Sequence, residues 1–298
     1  MVSNNNIEAL LDEDFLRKLE KLKLLIQKGL KGPFKGEHIS WRSGASLEFL
    51  DYRKYQPGDD FRYVDWNVFG RLDKLFIKLF RSEEDLTIHI LVDMSRSMET
   101  GIPSKELYAK KITAALSYIG LANLDKVGVT SFSDSLDKPC SPERGKQVYF
   151  SILKYLNSIK PDGITKLDSC LADYASTCRR PGAVVVISDL LDPNGFENGL
   201  EALCHAGFNV TLIQILDHEE LFPSLNGYIQ LKEIETGEMQ KITLDDALVE
   251  TYKEKIALFI KDTKELCRKN RIDYYLTDTS IPFEEFLLSY LTKSVMFH

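Results

Sequence analysis

The chain has 298 residues, of which 44% are apolar, 28% charged and 10% aromatic, an ordinary globular composition without repeats or low-complexity bias. Thirty-eight lysines and arginines against 45 aspartates and glutamates give a net charge of −7, which argues against nucleic acid or an anionic membrane as the main partner, since both need a basic footprint. The five cysteines are odd in number and never spaced C-x-x-C, a pattern that fits free thiols in a reducing compartment better than a disulfide framework or a zinc site. The first residues offer neither a basic n-region nor an apolar h-region, so no signal peptide is expected. The purest apolar stretch, Ala183 to Ile187, is far shorter than the ~18 residues that span a bilayer. The expectation is a cytoplasmic protein without membrane insertion.

In chain order, Leu11, Phe15, Leu19, Leu22 and Ile26 recur at spacings of four and three, which predicts a helix over about residues 7–30. Its apolar stripe packs either on its own domain or on a partner. The run K-G-P-F-K-G at 31–36 ends it, because Gly and Pro do not continue a helix cheaply. Residues 37–82 are rich in Trp, Tyr, Phe and Arg, with turn signals at Arg42-Ser43-Gly44 and Pro57-Gly58-Asp59-Asp60 and a strand at 76–80. Asp59, Asp60, Arg62 and Asp65 are placed to pair with Arg53 and Arg71, with Trp66 and the tyrosines sealing the network. That network reads either as a brace to the sheet or as a recognition surface.

From residue 85 the rhythm becomes strand and helix in alternation. Strands are predicted at 86–92, 127–132, 183–187, 209–216 and 273–276. Helices are predicted at 104–122, 146–159, 167–177, 197–206, 245–269 and 282–291, and a hairpin around Thr236-Gly237. Near-continuous apolar strands separated by helices predict an α/β fold, a doubly wound and mostly parallel sheet covered on both faces, over residues 85–298. Residues 1–84 then form an N-terminal helix and an aromatic-rich extension.

Ligands of such sheets sit at the carboxyl ends of the strands, beside the switch in strand order. The first strand runs into Asp93-Met94-Ser95-Arg96-Ser97; the loop before the 167–177 helix carries Asp162-Gly163-Ile164-Thr165; the A-V-V-V-I strand ends in Ser188-Asp189. Asp93, Ser95, Ser97, Thr165 and Asp189 thus offer two carboxylates and three hydroxyls, hard oxygen donors that suit Mg²⁺, with Mn²⁺ or Ca²⁺ as alternatives. Two carboxylates neutralise a divalent cation, and short loops leave one coordination position open to an external carboxylate. Each of these residues, taken singly, is also a plausible helix cap. Asp168 and Asp192 nearby read either as groups that back the metal ligands or, by preference, as solvated surface acids. His89, inside a strand, reads as a satisfied core residue.

The D-M-S-R-S string at 93–97 followed by Thr165 and Asp189 resembles the metal-ion-dependent adhesion site (MIDAS) of von Willebrand factor A (vWA) domains. Two positions depart from that pattern: Ile164 stands where a glycine usually precedes the threonine, and Leu190 where a glycine often follows the last aspartate. The block Arg53-x-Tyr55-x-Pro57-Gly58-Asp59-Asp60-x-Arg62-x-x-Asp65-Trp66, then Arg71, with Arg42-Ser43-Gly44 and Glu48-Phe49 before it, resembles the bacterial MoxR-associated family of cytoplasmic vWA proteins, long known only as a conserved domain of unknown function. The resemblance spans about residues 36–280. It implies a vWA, Rossmann-like fold and a MoxR-type AAA+ ATPase as partner in the maturation or remodelling of other proteins.

The function expected is a non-enzymatic, metal-dependent protein–protein interaction module that captures an Asp or Glu of a client protein. The alternative is a Mg²⁺-dependent phosphatase or phosphotransferase using Asp93. It is weakened by Ser95 where a D-x-D phosphatase would carry its second acid. No P-loop, G-x-G-x-x-G or G-x-S-x-G motif appears in the chain.

Overall fold

The computed structural model describes residues 17–21, 47–56, 59, 61–82, 86–223, 227–232, 239–244 and 246–293. The chain divides into two compact units, one of residues 33–85 and one of residues 1–32 with 86–298. The N-terminal segment groups with the sheet domain. Leu19 is the physical reason: it is fully buried in the same apolar core as Ile88 and Tyr290, while Arg17, Lys18, Glu20 and Lys21 around it are exposed. The remainder of the predicted 7–30 helix and the 31–36 turn lie outside the described residues. Leu19→Ala is expected to cost about 2–5 kcal/mol through lost burial and an unfilled cavity, read as a lowered urea midpoint. An unchanged midpoint would mean a detachable docking helix.

In the smaller unit, β1 (Leu47–Lys54) pairs antiparallel with β2 (Phe76–Ser82), with a register shift between Phe49 and Asp51. Between them lies α1 (Trp66–Leu72). Asp65 caps this helix, accepting the Asn67 and Val68 N–H groups at 2.9 and 3.2 Å. It also accepts the Tyr52 hydroxyl at 2.8 Å and pairs with Lys78 at 3.0 Å. The Tyr52 hydroxyl, with Lys78 and the two amides behind it, holds the Asp65 carboxyl down at about 2. The expected ionic network is thus present in altered form. Arg53 pairs with Asp59 at 2.8 Å, but Asp65 takes a lysine as its cation, and Trp66 is 60% exposed and seals nothing. Arg42–Gly44, Pro57, Gly58, Asp60 and the Arg62 side chain lie outside the described residues.

The larger unit is mixed α/β, with a six-stranded, mostly parallel sheet flanked by helices and compatible with a Rossmann-like fold. Its strands are β3 (Thr87–Asp93), β4 (Lys126–Phe132), β5 (Cys140–Glu143), β6 (Ala183–Ser188), β7 (Asn209–Leu216) and β10 (Asp273–Asp278). They lie in the order β10-β7-β6-β3-β4-β5, with only β5 antiparallel to its neighbour. β8 (Gly227–Lys232) and β9 (Met239–Leu244) form the predicted hairpin as a separate antiparallel pair. Helices α2 (Lys105–Ala122), α3 (Lys146–Ser158), α4 (Leu167–Thr177), α5 (Glu197–His205), α6 (His218–Leu221), α7 (Asp246–Lys269) and α8 (Phe283–Lys293) complete the unit. None of the described helices is long and apolar enough to cross a membrane.

Side chains alternate across a strand, and that alternation divides the core in two. Ile88, Ile90 and Val92 of β3, Val185 and Ile187 of β6, and Ile213 and Ile215 of β7 share one cluster with α2, α3 and α8. Leu91, Val184, Val186, Val210 and Leu212 share the other with α4, α5 and Cys267 of α7. Both faces of the central strands are buried, which explains why their sequences read as continuous apolar runs. His89 sits in this interior, 1% exposed, with Nδ1 2.8 Å from the Tyr174 hydroxyl and Nε2 without a hydrogen-bond partner among the described residues, so it is a core histidine satisfied at one nitrogen and not at both as expected.

β3 and β4 advance toward one edge of the sheet, whereas β6 and β7 lie on the other side of β3. The strand order therefore reverses between β3 and β6, and the residues that follow these two strands face the resulting crevice.

Candidate functional site

Parallel pairing sets the site. The β3–β6 ladder runs in register from Ile88 opposite Ala183 to Val92 opposite Ile187, so the next residues, Asp93 and Ser188, emerge side by side. The Ser188 hydroxyl donates to Asp93 Oδ2 at 2.6 Å, and the Ser95 N–H donates to Oδ1 at 2.9 Å. Asp189, one residue on, lies at the same rim. Asp93 is fully buried; burial first, then the neighbouring Asp189 charge, pushes its carboxyl up to about 7 against the hydrogen bonds from Ser188 and Ser95. Among the described residues Asp93 makes no ion pair.

The other oxygens converge from two loops. Ser95 is fully buried and Ser97 half-buried, with their hydroxyl oxygens 3.0 Å apart. Residues 162–166 are laced to this loop: the Asp162 N–H donates to the Met94 carbonyl at 2.9 Å, the Arg96 N–H to the Gly163 carbonyl at 3.3 Å, and Arg96 pairs with the Asp162 side chain at 2.9 Å. The Lys166 N–H, bonded to the Ser133 carbonyl at 2.9 Å, anchors the other end. Thr165 is thereby fully buried beneath an exposed Ile164. The predicted residues thus come from the two loops that follow β3 and β6 and from the α3–α4 connection that is hydrogen-bonded to the first of them.

Of the two departures from the adhesion-site pattern, one has a physical reading. Leu190 takes φ of 62°, the left-handed conformation that favours glycine. Its side chain is 1% exposed and its N–H donates to Ser188 Oγ at 2.9 Å. Burying a leucine contributes about 2 kcal/mol, which offsets a backbone cost on the order of 1 kcal/mol. Ile164 has no such role, since its side chain is 44% exposed.

Several partners are not visible in the sequence pattern. Lys105, fully buried in the first turn of α2, donates to Asp189 Oδ2 at 2.8 Å and to Glu220 Oε1 at 2.6 Å. Burial alone would lower the ammonium, but Asp189 and Glu220 outweigh it and hold Lys105 above its ordinary range. Glu220 is raised by burial, against the pull of Lys105. Gln214 Nε2 donates to the Asp189 carbonyl at 3.2 Å.

Asp192 is a correction to the surface-acid reading. It is 9% exposed and its Oδ2 accepts the Leu167 N–H at 2.7 Å, capping α4 from a different loop. Asp168 ties α4 to α5 through the Gly199 N–H at 2.6 Å. Among the described residues no three His, Cys, Asp or Glu side chains group as metal ligands, so any cation held here would depend on hydroxyl oxygens beside the two carboxylates.

A mixed α/β sheet with buried oxygen donors gathered at its strand switch is the class that fold and site define. The chain belongs to a family of proteins of unknown function, DUF58, whose model matches residues 51–258. Uncharacterised proteins of Mycobacterium tuberculosis and Mycobacterium bovis are 26% identical over 256 residues, covering 84% of this chain and 80% of theirs. Among solved structures, the conserved hypothetical protein BatB from Bacteroides thetaiotaomicron is similar over 70% of this chain and 100% of its own, at 19% identity and a TM-score of 0.47. An aerotolerance-related membrane protein from Bacteroides fragilis is similar over the same shares, at 18% identity and a TM-score of 0.46.

Proposed function

We propose that this chain is a non-enzymatic protein-interaction module of the vWA type. Asp93, Ser95, Ser97, Thr165 and Asp189 would hold a divalent cation, Mg²⁺ first and Mn²⁺ or Ca²⁺ in its place, and the module would capture an acidic side chain of a client protein. One observation carries the reading: Asp93 is a fully buried carboxylate without a cationic partner among the described residues, set against a second carboxylate and beside a hydroxyl pair. A buried charge left in that state is costly unless it is protonated or met by a cation. The residues fit a small hard ion. The 3.0 Å separation of the two seryl oxygens is that of adjacent donors around an octahedral ion with bonds of about 2.1 Å. Bound there, a divalent cation supplies a Lewis-acidic position that a carboxylate oxygen can fill. Ser97, half-buried, marks the side from which such a group would enter.

The proposed working partner is a MoxR-type AAA+ ATPase, and its support is the sequence block from Arg53 to Arg71. The phosphatase alternative fares less well on geometry. Both Asp93 oxygens already accept hydrogen bonds, and Ser95 stands where a second acid would serve as the general acid or base.

The test is capture from a lysate by the full chain with and without EDTA, with mass spectrometry of what is retained. Retention of an AAA+ ATPase and of a client lost in EDTA is expected. Thr165→Ala is expected to lose the EDTA-sensitive client at least about tenfold while leaving the circular dichroism spectrum unchanged, because Thr165 stands on a loop. Capture indifferent to EDTA, or turnover of a generic phosphate ester abolished by Asp93→Asn, would overturn the reading.

A further inference from the structure

We propose that Lys105 is a positioning residue that engages Asp189, so that of the two carboxylates named above only Asp93 meets a divalent cation directly, beside the hydroxyl oxygens, while Asp189 backs the site through its pairing with the ammonium. The inference rests on the cation reading above and adds what decides the charge of the loaded site. Asp189 is engaged at both carboxylate oxygens, one of them by a cation. Its Oδ2 accepts Lys105 Nζ at 2.8 Å, its Oδ1 accepts the Leu191 N–H at 3.0 Å, and its backbone carbonyl accepts Gln214 at 3.2 Å. Lys105 and Asp189 are both fully buried, so water does not exchange freely with the ammonium.

Lys105 is itself fixed at both ends. Its backbone N–H donates to the Thr100 carbonyl at 2.9 Å, one residue after the Ser104 cap of α2. Its second acceptor, Glu220, cannot swing away, because Glu220 Oε2 accepts the Asp217 N–H at 2.7 Å in the capping box of α6. Asp93, by contrast, is met by uncharged donors, the Ser95 and Ser188 groups, and by no cation among the described residues.

The charges then follow. Lys105 shares its single charge between Asp189 and Glu220, and a cation met directly by Asp93 alone keeps about one positive charge within its own ligand shell. A half-neutralised cation attracts an incoming acidic side chain, whereas one gripped by two carboxylates would be close to neutral and attract it less. Removing the ammonium should free Asp189 for the cation, raising cation affinity and lowering affinity for the acid.

The experiment is a calorimetric titration of the metal-free full chain with Mn²⁺, for wild type, Lys105→Met and the double variant Lys105→Met/Glu220→Gln. The double variant removes one charge of each sign and guards against misfolding, which circular dichroism monitors. A dissociation constant for Mn²⁺ about tenfold lower or more in the folded variants is expected. Loss of packing alone would weaken binding, so a gain separates positioning from scaffolding. Mn²⁺ bound by the variants but too weakly by wild type to measure would support the proposal equally. Wild-type binding with unchanged or weaker affinity in the double variant overturns the role of Lys105 and leaves the cation site standing. No Mn²⁺ binding by any of the three overturns both.

Discussion

Replacing Asp93 by asparagine is expected to lower Mn²⁺ affinity by about a hundredfold or more, and at the same time to stabilise the metal-free protein at pH 8. The two effects share one cause. The Asp93 carboxyl is fully buried and faces Asp189, so its ionised form is disfavoured until a cation arrives, and it titrates near 7 where an ordinary aspartate titrates at 3.8. A carboxyl raised in the folded state favours folding through its protonated form. That contribution is complete below about pH 4 and is lost as pH climbs through 7. The displacement corresponds to about 4 kcal/mol at most. Metal-free wild type should therefore lose thermal stability between pH 5 and 8 relative to Asp93→Asn, whose neutral amide keeps an acceptor for the Ser95 N–H. Saturating Mn²⁺ should restore wild type, by about 3 kcal/mol at a hundred times the dissociation constant, and leave the variant unmoved. Melting curves at pH 5, 6.5 and 8, in EDTA and in Mn²⁺, measure all of this. Parallel pH profiles for the two proteins in EDTA would contradict the burial argument.

What a sequence reveals of such a site depends on where the chemistry sits along the chain. Asp93, Ser95, Ser97 and Asp189 follow apolar runs directly, so a strand followed by an oxygen donor marks each of them. Lys105 and Glu220 leave no such mark. Lys105 has the look of a first-turn helix residue, and Glu220 lies in the four-residue helix α6 beyond β7; only packing brings them within 2.6 Å. Ser188 was visible at the end of its strand, but its bond to Asp93 depends on the register of β3 against β6.

The same logic divides the elements. β3, β4, β6 and β7 are buried on both faces and were legible as apolar runs. β5 is only Cys-Ser-Pro-Glu at the sheet edge, and its proline argues against a strand everywhere except there. The helix α1 buries no residue and so has no apolar stripe to detect; its signal is the single capping carboxylate of Asp65.

Gly182→Ala is expected to be the most damaging of the conservative substitutions, and it links the sheet to the site. Gly182 immediately precedes β6, and a Cβ placed there would lie 2.3 Å from the Thr87 carbonyl oxygen at the start of β3. That neighbour is backbone within the ladder and cannot rotate aside as a side chain would. The Gly182 carbonyl is also committed, accepting the Asn209 N–H at 2.9 Å. Relief requires β3 and β6 to separate or slip, at a cost of about 3 kcal/mol or more. Asp93 and Ser188 stand at the far end of this same ladder, and their 2.6 Å bond requires the two strands to keep both spacing and register. The variant should therefore show a lowered urea midpoint and a weakened Mn²⁺ affinity together, although the substitution lies at the opposite end of β6 from both carboxylates. A midpoint shift with wild-type Mn²⁺ affinity would mean that the strand-end loops hold the donors independently of the β3–β6 pairing.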